Sequence, residues 1–178
     1  MEEHELIYDW NARGLPTPAI RIVDLDDETL RDGLQSASAS DPSDEDKIEL
    51  VHLMVELGIL SADIGLPGAN ARAFASARAI ALEIAGHHLP IKANCAARTV
   101  PRDIAPIVDV SQAAGIPIEA SLFIGSSPIR RLVEKWDVDV MVKRVEESVT
   151  FAVERNLPVM FVTEDTTRAD PDVLRTLY

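Results

Sequence analysis

Apolar residues fall along this chain in short β-branched runs that alternate with stretches of helical spacing. The first run, AIRIVDL at 19–25, suits a pleated surface and reads as a strand. Pro42 and Ser43 then lead into DEDKIELVHLMVELG, 44–58, where Ile48, Val51, Met54 and Val55 fall on one helical face. Ser43 with Asp46 makes a capping box, and Gly58 a stop. The same alternation recurs. Strands are predicted at 62–67, 90–96, 116–124 and 157–163. Helices are predicted at 70–85 (ended by Gly86), 101–114 (ended by Gly115), 138–155 and from 171 onward.

Five strands, each followed by a helix, specify an α/β fold with a parallel sheet and right-handed crossovers. Periodicity alone leaves two architectures open, a doubly wound open sheet and a (β/α) barrel. Residues 1–18 read as an N-terminal extension and 19–178 as the βα domain. A complete eight-stranded barrel takes about 250 residues, so five units are expected to leave open sheet edges that invite association, a homodimer being the commonest closed solution.

Composition narrows the function. Aromatic residues make up only 4% of the chain, against a large share of Ala, Ile, Val and Leu. That bias fits parallel strands buried on both faces. A net charge of −13 without any Lys/Arg run argues against nucleic acid as a partner. The lone Cys95 excludes an internal disulfide and a cysteine zinc cluster, and fits a reducing cytoplasm. With no histidine placed to activate it, Cys95 reads as a buried inert thiol. The acidic start MEEHELIYDW has no apolar core of a signal peptide, and no segment has the roughly 18 apolar residues of a membrane span.

In either α/β architecture chemistry collects where strands run into the following loops. The densest polar cluster there is DETLRDGLQ, 27–35. A carboxylate beside an arginine at a strand end can hold a hard divalent cation through oxygen while the guanidinium stabilises a developing oxyanion. A solvated acidic loop with a surface Arg–Asp pair accounts for the same composition.

DETLRDGLQ resembles the signature after the first barrel strand of the DRE-TIM metallolyase superfamily, which includes isopropylmalate, homocitrate and citramalate synthases and HMG-CoA lyase. The synthases read close to D-x-T-L-R-D/E-G-E-Q and the lyases close to P-R-D-G-L-Q, and this chain mixes the two through Leu34. Three further segments agree in order: ADIGLP (62–67) with the second-strand G-F/L-P pattern, FIGSSPIR (123–130) with F-I-A-T-S-P-I-H, and VTEDTTRAD (162–170) with S-x-E-D-x-x-R-T.

The resemblance implies a TIM (β/α)8-type barrel, of which about the first five units are present. It implies a Claisen-type condensation of an acyl-CoA, often acetyl-CoA, with a 2-oxo acid, assisted by a divalent metal (Mg2+, Mn2+ or Zn2+). An HMG-CoA lyase-like carbon–carbon lyase and a non-catalytic half-barrel are the alternatives. By the same resemblance Asp32 is the metal carboxylate, Arg31 the catalytic arginine, and Glu164 a catalytic carboxylate near the metal. Gln35, Asn94 and Ser121 belong to the substrate pocket, and Asp165 with Arg168 braces the strand-five loop as an ion pair.

Two departures stand out. Ser121 occupies the place of a substrate-binding histidine on strand four, so the pocket is expected to differ from that of isopropylmalate synthase. The His-x-His metal pair is absent from these residues. His4, His52, His87 and His88 read as surface or packing residues, as do Trp10 and Trp136. With one carboxylate ligand, the 178 residues alone are expected to bind metal weakly and to be inert.

Overall fold

A computed structural model describes residues 23–178. Five strands form one parallel sheet: β1 (Asp26–Asp27), β2 (Ser61–Asp63), β3 (Lys92–Arg98), β4 (Glu119–Gly125) and β5 (Val159–Glu164). Their spatial order is β1-β2-β3-β4-β5. Every neighbouring pair is parallel. A doubly wound sheet reverses strand order at a switch point, and this sheet never does. The strands curl into a half-barrel, the five-unit portion of a (β/α) barrel.

The helices α1 (Asp44–Glu56), α2 (Ala71–Gly86), α3 (Pro101–Ala114), α5 (Val138–Val153) and α6 (Pro171–Leu177) follow the strands, and α4 (Pro128–Glu134) is a short extra turn before α5. Consecutive long helices pack side by side. No helix among the described residues is long and apolar enough to cross a membrane.

Sequence chemistry accounts for most boundaries. Ser43 accepts from the Asp46 N–H, and Asp46 returns the bond to the Ser43 backbone, which completes the expected box. Val51 and Met54 of α1 are buried, whereas Leu57 at its end is 79% exposed, so the helical stripe stops one turn short of the apolar run. Helix α3 occupies the expected 101–114 and closes on Gly115 in the left-handed region.

Several boundaries differ from expectation. The extension 1–18, with His4 and Trp10, lies outside the described residues, as does most of the first apolar run. Within the described part, residues 23–25 are not a strand. Pairing begins only at Asp26, because the partner β2 offers just Ser61 and Ala62 to β1. Helix α2 runs through Gly86, which is helical, and ends at His87. His88 takes the left-handed turn at φ +51°, a conformation histidine tolerates better than branched residues. Helix α4 was not anticipated, yet Ser127-Pro128 carries its start signal: Ser127 accepts from the Arg130 N–H and proline fills the first turn. Helix α5 stops at Val153, two residues early, before Asn156 turns left-handed.

The sheet also corrects the expectation of strands apolar on both faces. Ala62, Ile64, Ala93, Cys95, Ala97, Ala120 and Leu122 pack in one core cluster with Val51, Ile80, Ile104 and Ile107 from the helices. Residues of opposite parity, among them Asp26, Ser61, Asp63, Asn94 and Ser121, share the other face. The helix side is the hydrophobic core, and the concave side carries these polar residues together with Phe123, Met160 and Val162 on β4 and β5.

Candidate functional site

Four polar residues knit the concave face across four strands. Asn94, 1% exposed, donates through Nδ2 to Asp26 Oδ1 at 2.8 Å and to Ser61 Oγ at 3.4 Å. Its Oδ1 accepts from Ser121 Oγ at 3.1 Å. A buried amide with its oxygen and nitrogen both committed has one orientation, so β1, β2, β3 and β4 present a fixed polar floor. Asn94 and Ser121, both assigned to the substrate pocket by resemblance, therefore lie in one network.

The DETLRDGLQ segment folds over the end of that floor. Asp27 Oδ1 accepts from the Thr29 N–H at 2.8 Å, which starts the turn. The Glu28 carbonyl then accepts from both Arg31 N and Gly33 N. This brings Arg31 inward, with its side chain 22% exposed. Its Nε donates to Asp63 Oδ2 at 3.1 Å and its Nη1 to Asp32 Oδ1 at 3.1 Å. Among the described residues Nη2 has no protein acceptor, so one arm of the fork is open while the other two are held.

Asp63 is the residue that motif reading missed. It lies at the end of β2, wholly buried, and takes Arg31 on one oxygen and the Gly65 N–H on the other at 2.9 Å. Gly65 has φ +141°, a region side-chain-bearing residues rarely enter, so glycine there lets its N–H turn back onto Asp63. Burial pushes the Asp63 carboxyl up from 3.8 to about 7, against the pull of the Gly65 N–H and Arg31. Burial likewise raises Glu28, with Arg31 opposing and Asp26 and Asp32 adding to the rise. The alternation of polar and apolar residues in S-A-D-I was the available signal for Asp63.

A hard divalent cation can be tested against these groups. Asp32 is 67% exposed and commits only one oxygen to Arg31. Glu28 Oε2 nearby is buried without a hydrogen bond. Oxygen donors of this kind suit Mg2+ or Mn2+. Among the described residues no group of three or more His, Cys, Asp or Glu is arranged to hold a metal. Asp32 fits as one ligand of such a site and does not complete it.

The remaining assigned residues lie apart. Gln35 is exposed in the turn Gly33–Gln35 and lines a separate cleft with Leu34, Lys47 and Arg72, one wall of which is Arg31. Glu164 ends β5 in register with Gly125. It faces a second cleft, 3.9 Å from Arg130, and makes no contact with Arg31 or Asp32. The brace beside it is formed as expected: Arg168 Nη1 donates to Asp165 Oδ1 at 2.7 Å, and Ser127 Oγ to Asp165 Oδ2 at 3.1 Å.

The histidines of the described residues are away from this rim. His52 Nε2 and His87 Nε2 meet Glu83 at 2.8 and 3.3 Å on the outer helices. Cys95 is fully buried, and burial pushes its thiol well up, which suppresses the thiolate. Trp136 does more than pack: Arg144 stacks 4.6 Å above its ring.

Comparison with known proteins agrees with this architecture. The HMGL-like family model matches residues 22–178. The chain is 30% identical over 152 residues to a 2-isopropylmalate synthase of Halalkalibacterium halodurans, covering 85% of this chain and 28% of that protein. It is 31% identical over 157 residues to a probable 2-isopropylmalate synthase of Methanopyrus kandleri, covering 88% of this chain and 30% of that one. It is 30% identical over 167 residues to homocitrate synthase AksA of the same organism, covering 90% and 40% respectively. The chain thus spans well under half the length of these relatives. On a family match across nearly the whole of the chain, it belongs to the HMGL-like family.

Proposed function

We propose that this chain supplies the first five βα units of the catalytic barrel of an acyltransferase that condenses an acyl-CoA, such as acetyl-CoA, with a 2-oxo acid. The observation that carries the reading is the Arg31–Asp32 pair, with Arg31 held by Asp63 and one guanidinium nitrogen left open. The names of the relatives, 2-isopropylmalate and homocitrate synthase, favour the condensing direction over a lyase.

In the condensation the α-carbon of the thioester loses a proton and attacks the keto carbon, whose oxygen becomes an alkoxide. Arg31 Nη2 is the donor available to that oxygen. A donor preorganised by Asp63 needs no reorientation as charge develops. A divalent cation held in part by Asp32 supplies Lewis-acid polarisation of the 2-oxo acid when bound. Asn94 and Ser121 form the floor against which the 2-oxo acid is oriented, and Gln35 donates to its carboxylate. Glu164 orients the acyl group or moves its proton. Hydrolysis of the new thioester then frees CoA.

The lone buried thiol supports a cytoplasmic location. The test is CoA release from acetyl-CoA by the intact protein with Mn2+ or Mg2+ and a panel of 2-oxo acids. Release that depends on a 2-oxo acid is the expected result. Cleavage of a 3-hydroxyacyl-CoA without any condensation would assign the lyase reaction instead.

A further inference from the structure

The cleft beside Glu164 is cationic within an acidic chain. Arg98, Arg102, Arg130 and Arg144 line its walls against only two carboxylates, Glu134 and Glu164, in a chain of net charge −13. The four arginines come from the end of β3, the first turn of α3, the first turn of α4 and the body of α5. Convergence of cations from four elements onto one hollow is a local reversal of the field.

We propose that this cleft binds the phosphate groups of the acyl-CoA co-substrate, an assignment that rests on the acyltransferase reading above. Three of the guanidinium groups have no hydrogen-bonded acceptor among the described residues. Arg102 is 80% exposed and only 3.7 Å from Asp103. Arg130 reaches Glu134 at 3.6 Å and Glu164 at 3.9 Å, too far for hydrogen bonds. Arg144 is stacked on Trp136 and free of ion pairs. Arg98 is the exception. Its Nη2 donates to Asp103 Oδ1 at 3.3 Å and its Nε to the other oxygen, which fixes the wall the others face.

Two backbone features fit the same ligand. Helix α3 starts at Val100 without a side-chain cap, and Thr99, Val100 and Arg102 line the cleft. Pro101 has no N–H and the Asp103 N–H donates to the Val100 carbonyl, so this terminus offers the hollow the Arg102 N–H and the helix dipole. At the end of β4, a Cβ built on Gly125 would lie 2.7 Å from Arg130 Nε and 2.8 Å from its Cγ. Only glycine lets the Arg130 side chain lie across the strand end.

Size and position select the phosphate end of the co-substrate. The cleft holds about 230 Å3, below the roughly 300–1,000 Å3 of pockets that engulf a drug-sized ligand. It can take phosphate groups but not a whole acyl-CoA. Glu164, part of the proposed reaction centre, forms one of its walls. The pantetheine arm would run from the arginines over Glu164 toward Arg31.

The test is titration calorimetry on the intact protein with CoA, dephospho-CoA, adenosine 3′,5′-bisphosphate, inorganic pyrophosphate and pantetheine. CoA should bind at least about tenfold more tightly than pantetheine, the size of one charge-assisted contact. The double variant Arg102→Glu, Arg144→Glu should remove that advantage and leave pantetheine binding and the circular dichroism spectrum unchanged. With acetyl-CoA its KM should rise while kcat holds. CoA binding that ignores the double variant would overturn the proposal. So would pyrophosphate binding as tightly as adenosine 3′,5′-bisphosphate with CoA no tighter than either, which would mark a free-phosphate site. Arginine-dependent CoA binding in a protein that never turns over acetyl-CoA would sustain the cleft and sink the acyltransferase reading.

Discussion

Arg31 Nε lies 3.1 Å from Asp63 Oδ2, an ion pair between the loop after β1 and the buried end of β2. The pair separates the roles of three residues that a motif alone merges. Asp63 orients Arg31, Arg31 offers a donor, and Asp32 faces outward with a free oxygen. In the intact enzyme Arg31→Ala should lower kcat by about 10²–10³, the cost of one oxyanion donor, with Mn2+ affinity preserved. Asp32→Ala should lose Mn2+ dependence and turnover together. Asp63→Asn, which keeps the shape but weakens the hold on Arg31, should cost about 10–100-fold in kcat, typical of a supporting group. Metal loss in Arg31→Ala with the rate retained would reverse the first two assignments.

Asp63 also makes a pH prediction. Burial raises its carboxyl from 3.8 to about 7. Between those values the folded protein holds a proton that the unfolded chain has released. Stability from this group therefore falls as pH rises through the window from 3.8 to about 7. Urea unfolding of the wild type and Asp63→Asn, compared across pH 4.5–7.5 (an interval chosen at roughly the window of the raised carboxyl), isolates the contribution. The stability of the wild type relative to the variant should decline with pH. A flat difference would mean that Arg31 keeps Asp63 ionised throughout.

Asn94 carries the floor of the site and ties its own strand to β1, β2 and β4. Asn94→Ala leaves Asp26, Ser61 and Ser121 without a shared partner, two of those bonds being shorter than 3.2 Å. Loss of a buried hub of this kind should destabilise the domain by about 2–4 kcal/mol, from roughly 1–3 kcal/mol per unsatisfied buried group. Chemical denaturation measures it, and a loss under about 0.5 kcal/mol, the scale of an ordinary surface change, would show that water replaces the amide without cost.

The same residues show where sequence reasoning carries and where it stops. Helix α3 and the capping box at Ser43 were legible because their signals are local: proline in the first turn, Gly115 at the stop, serine bonded three residues on. The strand ends were displaced because ladder pairing, and not the apolar run itself, sets them: β4 starts at Glu119 although Ile116 begins the run, and β2 stops at Asp63 although its run continues to Pro67. Arg31 and Asp32 were legible as a motif. Asp63 was not: the alternation in S-A-D-I puts it on the polar face, but its partner is 32 residues away and no local pattern pairs the two. Glu164 was placed with the metal by resemblance, whereas here its neighbour is Arg130, a relationship between two strand ends that no linear pattern encodes.

Substrate choice follows from Ser121. Its hydroxyl is spent on Asn94 Oδ1, and a hydroxyl is shorter than the histidine it replaces in the resembling synthases. The pocket should therefore suit 2-oxo acids other than 2-oxoisovalerate. Competition between 2-oxo acids for acetyl-CoA, scored by kcat/KM, decides it. A preference of tenfold or more, about 1.4 kcal/mol, for 2-oxoisovalerate would show that Ser121 does not shape the pocket as argued.

The outer edges of the sheet yield the last prediction. Among the described residues β1 pairs only with β2 and β5 only with β4, so each leaves a row of backbone groups open. The β5 edge also carries Met160, Phe161 and Val162 half-buried. Unpaired apolar edges recruit further strands, and a two-fold pairing is the simplest closed arrangement. The 178 residues prepared alone should sediment as a dimer or larger species and bind Mn2+ weakly, because Asp32 is a single carboxylate with no three-ligand group around it. Analytical ultracentrifugation with a parallel Mn2+ titration checks both. Val162→Lys, on the face of β5 opposite the core-packed Phe161, should shift the distribution toward monomer if that edge is the contact. A monodisperse monomer with tight Mn2+ binding would mean that the sheet edges are covered and that further ligands are supplied from residues 1–22.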